Sequence, residues 1–330
     1  MQPIILLLFA IFICPVLIGD GVVGSAYAFS VIQQGLAEEL VIINKSNERS
    51  VGDALDLEDA TPFTAPVKVK AGSYQDCKDA DIVTICAGAA QKPGETRLKL
   101  VERNLKIMKE IVQEVVNTGF NGIFLIAANP VDILTYAAQK ISGFPAHKVI
   151  GSGTSLDSAR LRVALGKKLA IDPRDVHVDM LAEHGDSEFA AYSCGTIGGT
   201  PLMDYALANG LTEQELLELE EQVRNKAYEI INRKGATYYG VATALARITK
   251  AILYDQNTVL PVSAYLNGEY GEKDIYLGTP AVIDKNGIQK VVELPLDSRE
   301  QEALVNSASV LRETTANGMT KAGLLNYIWK

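Results

Sequence analysis

Histidine is scarce in this chain: 330 residues hold only His147, His177 and His184. A reaction that needs an imidazole therefore has few candidates to draw on. Cysteine is almost as rare. Cys14, Cys77, Cys86 and Cys194 are widely spaced, with no C-x-x-C pair and no spacing that suits a metal. Reduced structural thiols are the expectation, as in a cytoplasmic protein without a metal site. Positive charge is in deficit, 31 Lys and Arg against 40 Asp and Glu, for a net charge of −9. That balance argues against nucleic acid or an anionic membrane as the main partner. It leaves room for a local cationic pocket that takes a small anion.

Basic residues are missing altogether before Lys45. The chain is apolar almost without break over 4–13, and 16–18 continue the run. A secretory signal would want a positive start and a small-residue cleavage site, and neither is evident. Cleavage there would also remove a strand that the next motif requires. The run is short for a membrane span, which needs about 20 apolar residues. An apolar leader and first strand of a soluble protein is the expectation, with a membrane anchor as the rival.

What is plentiful is apolar residues, 48% against 22% charged, enough for two domains of ordinary size. Short apolar runs at 40–43, 82–85 and 123–126 read as buried strands. Between them, 22–34 and 98–117 carry helical spacing, the latter with Leu100, Leu105, Met108, Ile111 and Val115 in register. Strand alternating with helix predicts a parallel sheet covered on both faces. Past about Gly151 the pattern changes. Strands are expected at 176–181, 258–265, 275–283 and 291–294, and helices at 212–233, at 236–251 and from about 298. The expected architecture is α/β: a doubly wound parallel sheet in 1–150 followed by an α+β domain in 151–330. No repeat, low-complexity tract or Pro/Ser-rich linker separates them, so the halves should pack tightly.

The first strand runs into Gly19-Asp20-Gly21-Val22-Val23-Gly24 and then a helix. This is G-x-G-x-x-G in the Rossmann setting. Gly19 permits the tight turn, Gly21 lets the backbone approach a pyrophosphate, and Gly24 lets helix and strand pack closely. Dinucleotide binding follows. The acidic residue expected at the end of the second strand is replaced by Asn44, followed by Lys45. Asn accepts one hydrogen bond but brings no charge to repel a 2′-phosphate, so the choice between the two nicotinamide dinucleotides is less strict.

Ala182-Glu183-His184-Gly185-Asp186 follows an apolar strand, where an imidazole can reach a cleft and deliver a proton to a carbonyl as hydride arrives. Asp157 and Arg160 lie three apart at the start of a helix, on one face. The carboxylate can orient an imidazole, and the guanidinium can grip a substrate carboxylate through paired hydrogen bonds. A polar loop, 88–97, leaves the carboxyl end of a sheet strand, where ligands bind in open α/β sheets. It can act as a lid, with Arg97 polarising the substrate carbonyl. Taken singly, each of these is equally a structural histidine, a surface ion pair or a solvated connection; together they make a site.

From about Val16 to the last helix the chain resembles the lactate/malate dehydrogenase family, on the side of its bacterial L-lactate dehydrogenases. The matching segments include IGDGVVGSAYAF, GDALDLEDATPF, QKPGETRL, AANPVDILTY, GSGTSLDSARLR, EHGDSEF and KGATYYG. The resemblance implies reversible hydride transfer between NADH and pyruvate, giving L-lactate and NAD. It makes His184 the proton donor and acceptor, paired with Asp157, and Arg160 the carboxylate ligand. Arg97 polarises the carbonyl, Asn129 bonds near carbonyl and nicotinamide, and Thr237 lines the pocket. Gly19, Gly21, Val23, Gly24, Asn44, Lys45, Gly88, Ala89 and Asn129 hold the cofactor. Gln91 stands where malate-specific members carry Arg. A neutral side chain there offers no partner to a second carboxylate, so a monocarboxylate is the expected substrate. The resemblance also implies a homotetramer activated by fructose 1,6-bisphosphate through Arg162 and His177. Like cations from two subunits would repel, and a bisphosphate would neutralise them. Four departures stand out: Asn44 for Asp, Ala90 for Pro, Ala182 for Gly, and the apolar leader. The rivals are a malate-type 2-hydroxy acid dehydrogenase and a catalytically silent nucleotide-binding protein, although every catalytic group is present.

Overall fold

The computed structural model describes residues 13–89 and 97–327, without the side chain of Arg97. The leader at 1–12 and the loop at 90–96, with Ala90 and Gln91, lie outside. In the first half β1 (Pro15–Ile18), α1 (Val22–Gln33), β2 (Glu39–Ile43), α2 (Asn47–Ala60), β3 (Lys68–Ala71), β4 (Ile82–Ile85), α3 (Arg97–Asn117), β5 (Ile123–Ile126), α4 (Val131–Ser142) and β6 (Val149–Gly151) follow one another. The second half holds α5 (Ser155–Leu169), five two-residue strands, β7 (Val176–His177), β8 (Met180–Leu181), β9 (Phe189–Ala190), β10 (Thr196–Ile197) and β11 (Thr200–Pro201), then α6 (Leu202–Ala208), α7 (Glu213–Lys234) and α8 (Tyr239–Leu253). The long strands β12 (Thr258–Asn267) and β13 (Lys273–Asp284), with β14 (Gly287–Val291) and α9 (Ser298–Lys321), complete it.

The apolar runs become strands because both of their faces are covered: β1, β4 and β5 are buried at every position, the pattern of a parallel sheet between helices. The order β3-β2-β1-β4-β5-β6 is parallel throughout. It reverses between β1 and β4, so a crevice opens at their carboxyl ends. On one face Leu17, Tyr27, Ile42 and Leu125 pack with Leu245 of α8. On the other, Ile18, Val83 and Phe124 pack with Leu105, Leu134 and Leu311 of α3, α4 and α9. Each such side chain contributes about 1.5–3 kcal/mol when fully buried. Inside the first core a buried hydroxyl chain ties three elements together. Thr84 donates to Tyr27 at 3.1 Å, and the Tyr27 and Thr249 hydroxyls are 2.8 Å apart.

The sheet does not stop where the first half ends. β12 adds antiparallel to β6, Ser263 opposite Gly151, and β13 and β14 follow, making nine strands. Three expectations need correction. The strand expected at 176–181 is two short strands in different sheets. Arg162 takes the Val178 carbonyl at 3.1 Å and the Asp179 carboxylate at 2.6 Å, and the Met180 amide donates to Ser158 at 2.9 Å. Side chains of α5 thus satisfy groups that a ladder would otherwise pair. The helix expected from 236 begins at Tyr239, because Gly235 at φ +87° closes α7 first. The strand expected at 291–294 is β14, ending at Val291. Three helices, α2, α4 and α6, had no counterpart in the sequence reading.

Candidate active site

The glycine loop joins β1 to α1. Gly19 has φ +97°, and a Cβ there would lie 2.5 Å from the Ala87 amide nitrogen. A Cβ on Gly24 would meet the Gly19 carbonyl at 2.0 Å, so that helix start lies directly against the strand end. Gly21 is different: nothing lies within 4 Å of its would-be Cβ. It caps α1 with no side-chain hydrogen bond, and the first turn carries no acid. Free amide N–H groups, positive helix end and open space in front of Gly21 together fit a pyrophosphate. Val23 is half-buried in that first turn, and Gly88 and Ala89 follow β4 at the same end of the sheet. At the end of β2 the Asn44 amide donates to the Asp20 carboxylate, which is buried and also has the Arg49 Nε at 3.5 Å. Lys45 is exposed.

An imidazole held by a carboxylate faces a cleft lined by residues of both halves. His184 lies on the segment between β8 and β9, with its Nδ1 2.6 Å from Asp157 Oδ2. Arg160 donates to the other carboxylate oxygen at 2.8 Å. Asp157 and Arg160 therefore share a face of α5 as their spacing requires. The His184 side chain is 25% exposed and that of Asp157 2%. They line a cleft of about 420 Å³ with Asn129, Glu188, Arg224 and Tyr228. A larger groove of about 580 Å³ between α5 and α7 shares Arg160 but is lined by apolar side chains and Lys167, Lys168 and Lys226, with neither carboxylate nor imidazole among its described lining residues. Burial pushes the His184 imidazole down, but the charge and hydrogen bond of Asp157 reverse this and hold it up at about 9. Burial likewise raises Asp157, yet His184 and Arg160 bring it below the usual carboxylate range.

Three residues that the sequence reading missed build the surroundings. Asp132, in the first turn of α4, accepts the His184 backbone N–H at 2.9 Å and the Ser263 hydroxyl at 2.5 Å, which fixes the histidine segment to the sheet. Burial raises its carboxyl to about 6, against the pull of those two donors. Asn104 on α3 accepts from the Ala89 amide at 2.8 Å and donates to the Asn129 carbonyl at 2.7 Å, clamping the ends of β4 and β5 together. Glu188 is buried beside His184. Asn104 was findable, as a polar residue among Val101, Leu105 and Met108 on an apolar stripe. Asp132 was findable in the same way, as a lone charge between Val131 and Ile133-Leu134, whereas Glu188 sits in the polar stretch 183–188 and carried no such signal.

Other expected residues fall as follows. Asn129 is exposed at the cleft. Thr237 is half-buried between α7 and α8, outside the residues that line the cleft. His177 is exposed on β7, and Arg162 is engaged by Asp179. Gln91 and the Arg97 side chain lie outside the described residues.

A dinucleotide loop on a parallel sheet, with a carboxylate-held imidazole and an arginine in the adjoining cleft, defines a nicotinamide-dependent dehydrogenase of the 2-hydroxy acid class. Comparison with known proteins agrees. Residues 16–151 match the lactate/malate dehydrogenase NAD binding domain, and 154–322 match the alpha/beta C-terminal domain of the same enzymes. L-lactate dehydrogenase of Limosilactobacillus reuteri is 63% identical over 96% of this chain and 98% of its own length. That of Limosilactobacillus fermentum is 65% identical over 93% and 96%. The solved minor L-lactate dehydrogenase of Enterococcus mundtii, in its ligand-bound form, superposes with a TM-score of 0.91 at 48% identity, over 92% of this chain and 98% of that one. The chain belongs to the lactate/malate dehydrogenase family.

Proposed function

We propose that this chain catalyses the reversible reduction of pyruvate to L-lactate with NADH. The observation that carries it is the His184–Asp157–Arg160 set in the cleft, on a chain more than 60% identical to L-lactate dehydrogenases over nearly their whole length. Bound at the glycine loop, NADH supplies the hydride. His184 supplies the proton: with Nδ1 committed to Asp157, Nε2 is the nitrogen that faces the carbonyl oxygen. Asp157 keeps that tautomer and stabilises the charged ring before transfer. Arg160 binds the substrate carboxylate, and Arg97 polarises the carbonyl. Gln91 selects against a second carboxylate. Residues 1–150 serve as the cofactor half and 151–330 as the substrate half.

Steady-state NADH oxidation with pyruvate and with oxaloacetate tests the reading. Pyruvate is the better substrate, and His184→Ala lowers turnover roughly 10²–10⁴-fold. Near-normal turnover in that variant, or a preference for oxaloacetate, would overturn it. Gln91→Arg shifts the ratio of kcat/KM toward oxaloacetate.

A cytoplasmic homotetramer activated by fructose 1,6-bisphosphate belongs to the same reading. Four free cysteines suit a reducing compartment, and no helix among the described residues is long and apolar enough to cross a membrane. The exposed His177 supports an anion site. Asp179, paired with Arg162, subtracts from its positive charge. His177→Asp removes a cation from the site and abolishes activation, read as the apparent KM for pyruvate with and without the bisphosphate.

A further inference from the structure

The cleft holds one ionisable group that the mechanism above leaves without a task. Glu188 lies four residues past His184, 3% exposed. Its Oε2 is 4.0 Å from His184 Nδ1. The ligand atoms of Glu188, Asp157 and His184 all lie within 4.8 Å of one another. That Oε2 is buried, and no donor among the described residues reaches it. Among the described side chains, the nearby cations are engaged elsewhere. Arg160 of α5 is on Asp157, and Arg224 of α7 is on Glu220 at 2.6 Å, giving Glu188 only a bond to its backbone carbonyl at 3.0 Å. Asp132 of α4, behind the segment, faces Ser263 and the His184 amide. Asp186, beside His184, has Tyr228 of α7 as a neighbour at 3.3 Å. A second ionised carboxylate beside Asp157 would thus be dry, donorless and against a like charge.

We infer that Glu188 is a positioning residue, present as the neutral acid, whose O–H donates to the Asp157 carboxylate and holds it against His184. Burial first, and the Asp157 charge second, raise its carboxyl to about 9, which agrees. The consequence is a cationic cleft. Asp157, Arg160 and the protonated His184 keep one net positive charge, before Arg97 adds its own, to face an anionic substrate. An ionised Glu188 would cancel that charge and make His184 too weak an acid. After the proton has left His184, the Glu188 O–H still serves the Asp157 carboxylate.

For its kinetic arm the inference rests on pyruvate being the substrate. The pH profile of kcat/KM for pyruvate is measured from pH 5 to 10 in the wild type, Glu188→Ala and Glu188→Gln. Glu188→Ala loses the donor and drops kcat/KM by about tenfold or more, a lost bond to a buried charge. Glu188→Gln is neutral and still donates, so it recovers most of that loss. Below about pH 8, where the wild-type carboxyl is neutral, its kcat/KM profile runs parallel to the wild type, because no charge has been removed. An alkaline fall that sets in about one unit or more earlier, already below pH 8, in Glu188→Gln would mean that an ionised carboxylate had faced the imidazole, and would overturn the inference. So would an Ala variant indistinguishable from wild type. Infrared difference spectra at pH 7 give an arm independent of substrate and of the Ala variant. A protonated-carboxyl carbonyl band in the wild type disappears in Glu188→Gln; absence of that band in the wild type overturns the inference. Wild type inactive on pyruvate but carrying the band would refute the substrate and leave the neutral acid standing.

Discussion

At the scale of single residues the site is governed by who holds whose charge. His184 is quarter-exposed yet held up at about 9, because Asp157 opposes the effect of burial. Reduction of an oxo acid needs the protonated ring, so activity falls as pH rises through the His184 pKa. Asp157→Asn removes the charge and lowers that pKa. The alkaline limb of kcat/KM then moves to lower pH by at least about one unit, and the rate at pH 8 drops by roughly 10²-fold or more. Stability follows the same group. Its folded pKa lies above the ordinary value of 6.5, so the contribution is whole below 6.5 and is lost as pH rises through about 9. Urea titrations at pH 6 and pH 9.5 read this as a loss of stability at high pH that Asp157→Asn flattens. Asn44 has a comparable tie. Its amide donates to the buried Asp20 carboxylate, so Asn44→Asp would set two carboxylates against each other. The cost of a sharper preference for NADH is a lower melting temperature.

At the scale of elements, the short segment from β8 to β9 carries the most constraint. Ala182 has φ +76°, buried, and bonds in both directions with Gly278 at 2.9 Å. This is the position where the family resemblance leads one to expect glycine. The bridge, with Asp132 on the His184 amide two residues later, holds a conformation that costs a non-glycine residue about 1–2 kcal/mol. Ala182→Gly relieves this but loses a buried methyl and adds unfolded-state freedom, so its net effect stays within about 1 kcal/mol. Ala182→Val puts a branched side chain at the same φ and destabilises by more than about 2 kcal/mol, with kcat falling as His184 shifts. Thermal unfolding and turnover of the two variants check this. What was legible in the sequence follows the same logic. The glycine loop and the strands at 82–85 and 123–126 were readable because local pattern alone determines them. The Asp157–Arg160 face was readable from helical spacing. The split at 176–181 was not, because it depends on Arg162 of α5 bonding to Val178 and Asp179 across the fold. Glu188 was hidden for the same reason: a carboxylate in a polar stretch looks solvated until the fold has closed over it.

At the scale of the whole molecule the decisive feature is that one sheet runs through both halves. β6 has β5 on one side and β12 on the other, and α8 covers the face that β1 and β5 present. Residues 1–151 expressed alone would leave β6 as an open edge and the Leu17–Leu125 face bare. Such a fragment aggregates where the full chain stays soluble, and size-exclusion chromatography at equal concentration shows the difference. Recovery of a stable, soluble monomer would refute the claim. A Cβ at Gly151 would sit 2.6 Å from that of Ser263, so even the junction tolerates little. For protein engineering the two halves are therefore not interchangeable cassettes. A chimera that takes its second half from a relative of different specificity inherits a working reaction centre only if the incoming strand docks with its serine opposite Gly151, in the same register.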